Sequence, residues 1–166
     1  MTAVEKLKSG RKPAPPAGSP TASARLVCFP GGQRREWRLR TMESSIPSLR
    51  RELAAFLSTT GLSDDAFYDL LLAASEAASN AVDHPQQPTE PFFEVAAEFV
   101  GETVTIVVQD HGRWLEPTPS PHRGRGLAMM RVLADTTVEA GTHGTTVTIR
   151  KHTASPAVLD EEGRAS

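Results

Sequence analysis

Two strand-like runs meet at a two-residue break in the middle of the chain. "FFEVAAEFV" covers residues 92–100, "TVTIVVQD" covers 103–110, and only Gly101 and Glu102 separate them. So short a connection containing glycine joins neighbouring antiparallel strands and nothing else. The rest of the chain must be arranged around that pair. "ARLVCFP" reads as a short strand ended by "PGG", and "EWRLR" alternates and can pair with it as a hairpin. Between Ser45 and Thr60, Leu49, Leu53, Phe56 and Leu57 recur at helical spacing, with Pro47 in the first turn and Gly61 at the end. Ser63 is a good N-cap for a second helix to about Asp83, which Pro85 and Pro88 stop. "GRGLAMMRVLA" predicts a third helix, and "TTVEA" and "TTVTIRK" two closing strands around "GTHG". The order ββ-αα-ββ-α-ββ predicts an α/β two-layer sandwich, a mixed, mainly antiparallel sheet with helices packed on one face.

Composition narrows the function classes. Residues 1–24 contain "GRKPAPPAGSPTAS", and 152–166 read "HTASPAVLDEEGRAS". Neither has enough large apolar groups to order itself, so disordered arms are expected on either side of a domain at 25–151. A net charge of −2 gives no general case for binding nucleic acid or acidic membranes. No apolar run approaches the roughly 20 residues that span a bilayer. The basic N-terminus (Lys6, Lys8, Arg11, Lys12) is followed by Pro and Ala where a signal peptide has its apolar core. Cys28 is the single cysteine, so no intrachain disulfide can form, which fits a cytoplasmic location.

The second helix poses the functional question. At 100° per residue, Phe67, Leu70, Leu71, Ala74, Ala78, Ala81 and Val82 form one stripe. Glu76, Asn80 and Asp83 lie on the other side, beside Asp69, with Leu72 and Ala73. A polar pair at i and i+4 is ordinary on a solvated helix face. This face, however, lacks Lys and Arg, whereas a solvated face mixes both charge signs. An i, i+4 pair also points two side chains into one space, about 6 Å apart. A carboxylate there can act as a base, and an amide oxygen can ligate a hard cation such as Mg2+. That combination suits phosphoryl transfer if the chain also holds a nucleotide.

Three further stretches can supply that second half. The strand "TVTIVVQD" ends at Asp110, with Gly112 nearby. A carboxylate at a strand end accepts from the exocyclic amine of adenine, whereas guanine presents a carbonyl there. "HRGRGLAMM" opens a helix on Gly124 and Gly126, where backbone amides and the positive dipole end favour phosphate, and Arg123 and Arg125 add charge. The dinucleotide fingerprint is excluded, because no strand immediately precedes these glycines and the third Gly is missing. In "GTHGTTVTIRK", Gly144 and Thr145 start a strand whose hydroxyl can reach a base. Each piece alone has a plain reading as a turn, a helix start or a hairpin. His111, His122 and His143 fall in predicted loops with no metal-ligand spacing.

The pieces gain weight from their order. E-x-x-x-N on a helix, D-x-G after a strand, G-x-G opening a helix and G-T-T on a last strand resemble the Bergerat-type ATPase family of gyrase, heat-shock chaperones, mismatch-repair proteins and histidine kinases. The resemblance covers about residues 45–151. Within the family, "EAASNAVDH", "DHGRW", "RGRGLAMMRVLAD" and "GTTVTIRK" are most similar to the bacterial anti-sigma-factor serine/threonine kinases. It implies ATP and Mg2+ as cofactors. Glu76 then matches the base that activates the substrate hydroxyl, and Asn80 the Mg2+ ligand. Asp110 matches the adenine reader with Gly112 beside it. Arg123, Gly124, Arg125, Gly126 and Leu127 match the phosphate box, and Thr145 or Thr146 the threonine near adenine. It implies a protein kinase that is also an anti-sigma factor. Its partners would be a sigma factor, an anti-anti-sigma protein phosphorylated on serine, and a second copy of itself. The alternative is a nucleotide-binding interaction module of the same fold without kinase activity, and Glu76 argues against it, since binding alone needs no base.

Overall fold

The computed structural model describes residues 23–83, 90–112, 125–142 and 144–153. The expected terminal arms, Pro85, Pro88, Arg123, Gly124, His122 and His143 lie outside these residues, almost wholly so for the arms. In chain order the elements are β1 (Ser23–Phe29), β2 (Gly32–Arg40), α1 (Ser45–Leu57), α2 (Asp64–Asp83), β3 (Phe92–Val100), β4 (Thr103–Gln109), α3 (Arg125–Leu133), β5 (Asp135–Gly141) and β6 (Gly144–His152). This is the predicted order, and the predicted two-layer architecture follows from it.

The strands form one six-stranded sheet in the order β1-β2-β3-β4-β6-β5. Every pair within it is antiparallel. The two-residue turn at Gly101 and Glu102 sets the register of the central pair, with Val100 opposite Thr103. Gly101 takes φ +58, a left-handed conformation that side chains with a Cβ resist. β2 begins at Gly32, four residues earlier than the alternation at "EWRLR" suggests, because Gln33, Arg34 and Arg35 pair with β1 and β3 at once.

Burial shows which face is covered. Trp37 and Leu39 on β2, Phe93, Val95 and Ala97 on β3, Val104, Ile106 and Val108 on β4, and Val147 and Ile149 on β6 are all buried. They alternate with residues of the opposite face, where Arg34 meets Glu98 at 3.4 Å and Arg38 meets Glu94 at 3.1 Å. Such exposed pairs each contribute about 1 kcal/mol or less. All three helices lie on the apolar side.

α1 ends at Leu57 rather than Thr60. The hydroxyls of Ser58, Thr59 and Thr60 each donate to a carbonyl three residues back, so they take up the last carbonyls of the helix. α2 starts as expected: the Ser63 hydroxyl accepts from the Ala66 N–H at 3.3 Å. Asp64 and Asp65 occupy the first turn, where the helix dipole favours negative charge. Its buried residues include Leu70, Ala73, Ala74, Ala77, Ala78 and Ala81. The packed arc is therefore broader than the sequence stripe and rotated toward Ala73, which belongs to the core, while Leu72 is exposed. Alanine at these positions lets the helix axis lie close to the sheet. Among the described residues no helix is long and apolar enough to cross a membrane.

Candidate functional site

One lysine ties the N-terminal half of α2 to β6 and α3. Lys151, near the end of β6, donates to the Asp69 carboxylate on α2 and to the Leu133 carbonyl of α3 at 2.7 Å. Lys151 lies opposite Val104, at the start of β4. From Asp69, α2 packs over β4 and β6 and advances about 10 Å to Glu76 and about 16 Å to Asn80, at 1.5 Å per residue. β6 read backwards from Lys151 reaches Thr145 over about 20 Å, beside Asp110 at the end of β4. The half of α2 that bears Glu76 and Asn80 therefore lies over the end of the sheet that bears Asp110.

Asp110 follows the last residue of β4 and is held by backbone alone. Its N–H donates to the Thr145 carbonyl at 3.0 Å. Its carboxylate Oδ1 accepts from the Gly112 N–H and the Thr145 N–H, each at 3.0 Å. Two donors on one oxygen orient the carboxylate, and among the described residues nothing meets Oδ2. Gly112 is buried beneath it. Gly144 is what lets β6 come so near. It takes φ +139, and a Cβ there would stand 2.0 Å from the Asp110 carbonyl oxygen.

Glu76 and the start of α3 form the second cluster. Glu76 is half-buried, and a Cβ on Gly126 would lie 2.2 Å from its Oε1 and 2.9 Å from its Cδ. The carboxylate thus rests on the bare backbone at the first turn of α3, where helix N–H groups have no partner within the helix. Arg125 is exposed at the first position of that turn, and Leu127 packs on the core. Asn80, one turn beyond Glu76, is half-buried. Among the described residues it makes no hydrogen bond through its amide. Arg123 and Gly124 fall outside the described residues.

The two candidate threonines separate by face. Val147 and Ile149 of β6 point into the core, so Thr145 shares their side of the sheet, the side of the helices, and Thr146 points the other way. His111 turns toward β3: its Nε2 stands 3.3 Å from Glu94 Oε2, and its ring meets Phe92 edge-on at 5.1 Å. Among the described residues no group of three or more His, Cys, Asp or Glu could hold a metal ion.

Two contacts near the site have no sequence signal. Ser75, the residue before Glu76, is buried, accepts from Arg50 Nε of α1 at 2.9 Å and donates to the Leu71 carbonyl at 2.6 Å. Lys151 is the other. Both join separate elements, and nothing in their immediate neighbours marks them.

Comparison with known proteins places this geometry. No curated protein matches the chain at a significant level. Among solved structures, the RsbU and RsbW domains of Rv1364c from Mycobacterium tuberculosis match with a TM-score of 0.61 and 27% identity, over 74% of this chain and 33% of that one. The chain thus spans about a third of the length of that structure. The sequence model of the histidine kinase-like ATPase domain matches residues 40–151, which include the Glu76–Gly126 contact, Asp110 and the Gly144–Thr145 strand start. The chain belongs to the histidine kinase-like ATPase domain family.

Proposed function

We propose that this chain is an ATP-dependent serine/threonine protein kinase that is also an anti-sigma factor. It would bind a sigma factor, and would phosphorylate a serine on an anti-anti-sigma protein to release that partner. The observation that carries the kinase reading is the Glu76 carboxylate lying on the glycine of the phosphate-box helix. A site that only bound nucleotide would gain nothing from a second negative charge beside the phosphates. The likeness to the RsbW domain structure supports the partner-switching part, as do the motifs set out from the sequence. A homodimer and a domain spanning about residues 25–151 belong to the same proposal.

In this reading Asp110 Oδ2 accepts from the adenine amine, since Oδ1 is taken by the two backbone N–H groups. Thr145, on the helix side of the sheet, is the threonine beside the base, and Gly112 lets backbone approach the ring. The first turn of α3, with Arg125, faces the phosphates. Mg2+, when bound, neutralises charge on the phosphates. A hard cation of this kind keeps several waters and needs only one or two protein oxygens, so the lone Asn80 amide suffices as its ligand here. Glu76 takes the serine proton as the serine oxygen bonds to the γ-phosphorus and the bond to the bridging oxygen of ADP breaks. The protein supplies position and charge rather than covalent chemistry.

Transfer of labelled phosphate from ATP to a cognate anti-anti-sigma protein tests the proposal, with nucleotide affinity measured in parallel. The proposal expects Mg2+-dependent labelling of one serine. Tight ATP binding with no transfer to any such protein would leave the binding module in its place.

A further inference from the structure

We propose that Lys151 is a positioning residue, which sets the register of α3 along α2 and so holds Gly126 against the Glu76 carboxylate. It touches neither Glu76 nor Gly126, and it meets α2 in its second turn and α3 at its last residue. Its ammonium reaches from β6 to the Asp69 carboxylate and the Leu133 carbonyl. Leu133 is the last residue of α3, and its carbonyl is among those with no acceptor role inside the helix. A cation there also meets the negative end of the helix dipole. The Lys151 and Asp69 side chains are 26% and 31% exposed, so solvent screens the pair less than it screens the ion pairs on the open sheet face.

The spacing makes this a register device. Asp69 and Glu76 are seven residues apart on α2, and Gly126 and Leu133 are seven apart on α3. Lys151 joins Asp69 to Leu133 at one end, and Glu76 meets Gly126 at the other. The two helices therefore run antiparallel, and each span measures about 10.5 Å at 1.5 Å per residue. Fixing the Lys151 end fixes the Gly126 end. The packing between the two does not do this alone. Of α3 only Met130 is fully buried, with Leu127 and Leu133 partly buried against the core, and a methionine adapts to small shifts of its surroundings. Thr136 adds a second tie, donating to the carbonyls of Met130 and Ala134 at 3.1 Å, but it binds α3 to its own following strand and not to α2.

The catalytic consequence rests on the kinase reading given above. Gly126 leaves no slack, since even a Cβ would collide with Glu76. A slide of α3 by less than one residue would change where the Glu76 carboxylate rests. Misplacement of a reacting group by about 1 Å can lower a rate about 100-fold.

The test compares the full chain with Lys151→Met, which keeps the stem and loses the charge, and with Lys151→Arg, which keeps the charge. The first measurement is amide hydrogen exchange without nucleotide. In Lys151→Met the α3 amides from Met129 to Val132 should exchange about tenfold faster or more, while the β4–β6 ladder at Val147 and Ile149 keeps its protection. Lys151→Arg should restore most of the α3 protection. Unchanged exchange in α3, equal acceleration in α3 and the ladder, or an Arg variant as fast as Met would each overturn the proposal. The second measurement is phosphate transfer at saturating ATP. Lys151→Met should lower kcat about 10–100-fold with little change in KM for the protein substrate, and a wild-type kcat would remove the catalytic consequence. If the wild type transfers no phosphate, the kinase reading falls, and the exchange result still decides whether Lys151 sets the register.

Discussion

A Cβ on Gly144 would stand 2.0 Å from the carbonyl oxygen of Asp110, and one on Gly126 would stand 2.2 Å from the carboxylate oxygen of Glu76. The first obstacle is backbone at the end of the β4–β6 ladder, and the second is the tip of a side chain. The two glycines should therefore fail in different ways when replaced by alanine.

Gly144→Ala should lower stability. The backbone there has φ +139, and the Asp110 carbonyl cannot retreat without disturbing the hydrogen bonds that Asp110 makes with the Thr145 backbone. Strain and overpacking together should remove about 2–5 kcal/mol. Urea unfolding of the two proteins measures it, and a wild-type midpoint would show that β6 can start elsewhere.

Gly126→Ala should fold nearly as well as the wild type, because the Glu76 side chain can swing aside. The phosphate-transfer rate should nevertheless fall about 100-fold, since the carboxylate has left its place. A melting temperature within a few degrees of wild type alongside a lost rate is the expected pair of results. Full activity would mean that the carboxylate works from another position.

Asp110→Asn is a clean probe of base recognition. The amide oxygen can keep accepting from Gly112 and Thr145, so the turn survives, while an NH2 replaces Oδ2. Affinity for ATP should fall by about 1–3 kcal/mol, and the preference for ATP over GTP should shrink. Calorimetry with both nucleotides decides it, and equal wild-type affinity for GTP and ATP would count against Asp110 as the reader of adenine.

Glu76→Gln and Asn80→Ala should separate chemistry from binding. Loss of the base should slow transfer by about 10²–10⁴ and leave ATP affinity little changed. Loss of the amide should weaken Mg2+-ATP binding itself. The positions are one helical turn apart, so damage to α2 would affect both measurements alike in both variants. Wild-type transfer by Glu76→Gln would assign the proton to another acceptor.

The order of elements was legible because each is specified locally: the Gly101 turn, the Ser63 cap and the leucine spacing of α1 need no distant partner. The candidate site was legible for a different reason. Asp110, Gly126 and Gly144 sit at element ends and Glu76 lies one turn from Asn80, where residue type and spacing limit the chemistry. The rotation of α2 was not legible, because Ala73 and Ala77 carry too little apolar surface to mark a buried face, yet both are packed. The choice between Thr145 and Thr146 needed the phase of β6, which Val147 and Ile149 fix only once their burial is seen. Lys151 reads as one more charge in "TTVTIRK", and only the fold brings Asp69 and Leu133 to it.

β6 supplies both the Thr145 N–H and the Thr145 carbonyl that hold Asp110, across 35 positions of chain. A chain growing from its N-terminus makes Asp110 well before it makes the strand that orients it. Until β6 has left the ribosome and paired with β4, the Asp110 carboxylate lacks one of its two backbone donors. Completion of the sheet and completion of this half of the site are thus a single event, and a chain released early would carry the acid without its orientation.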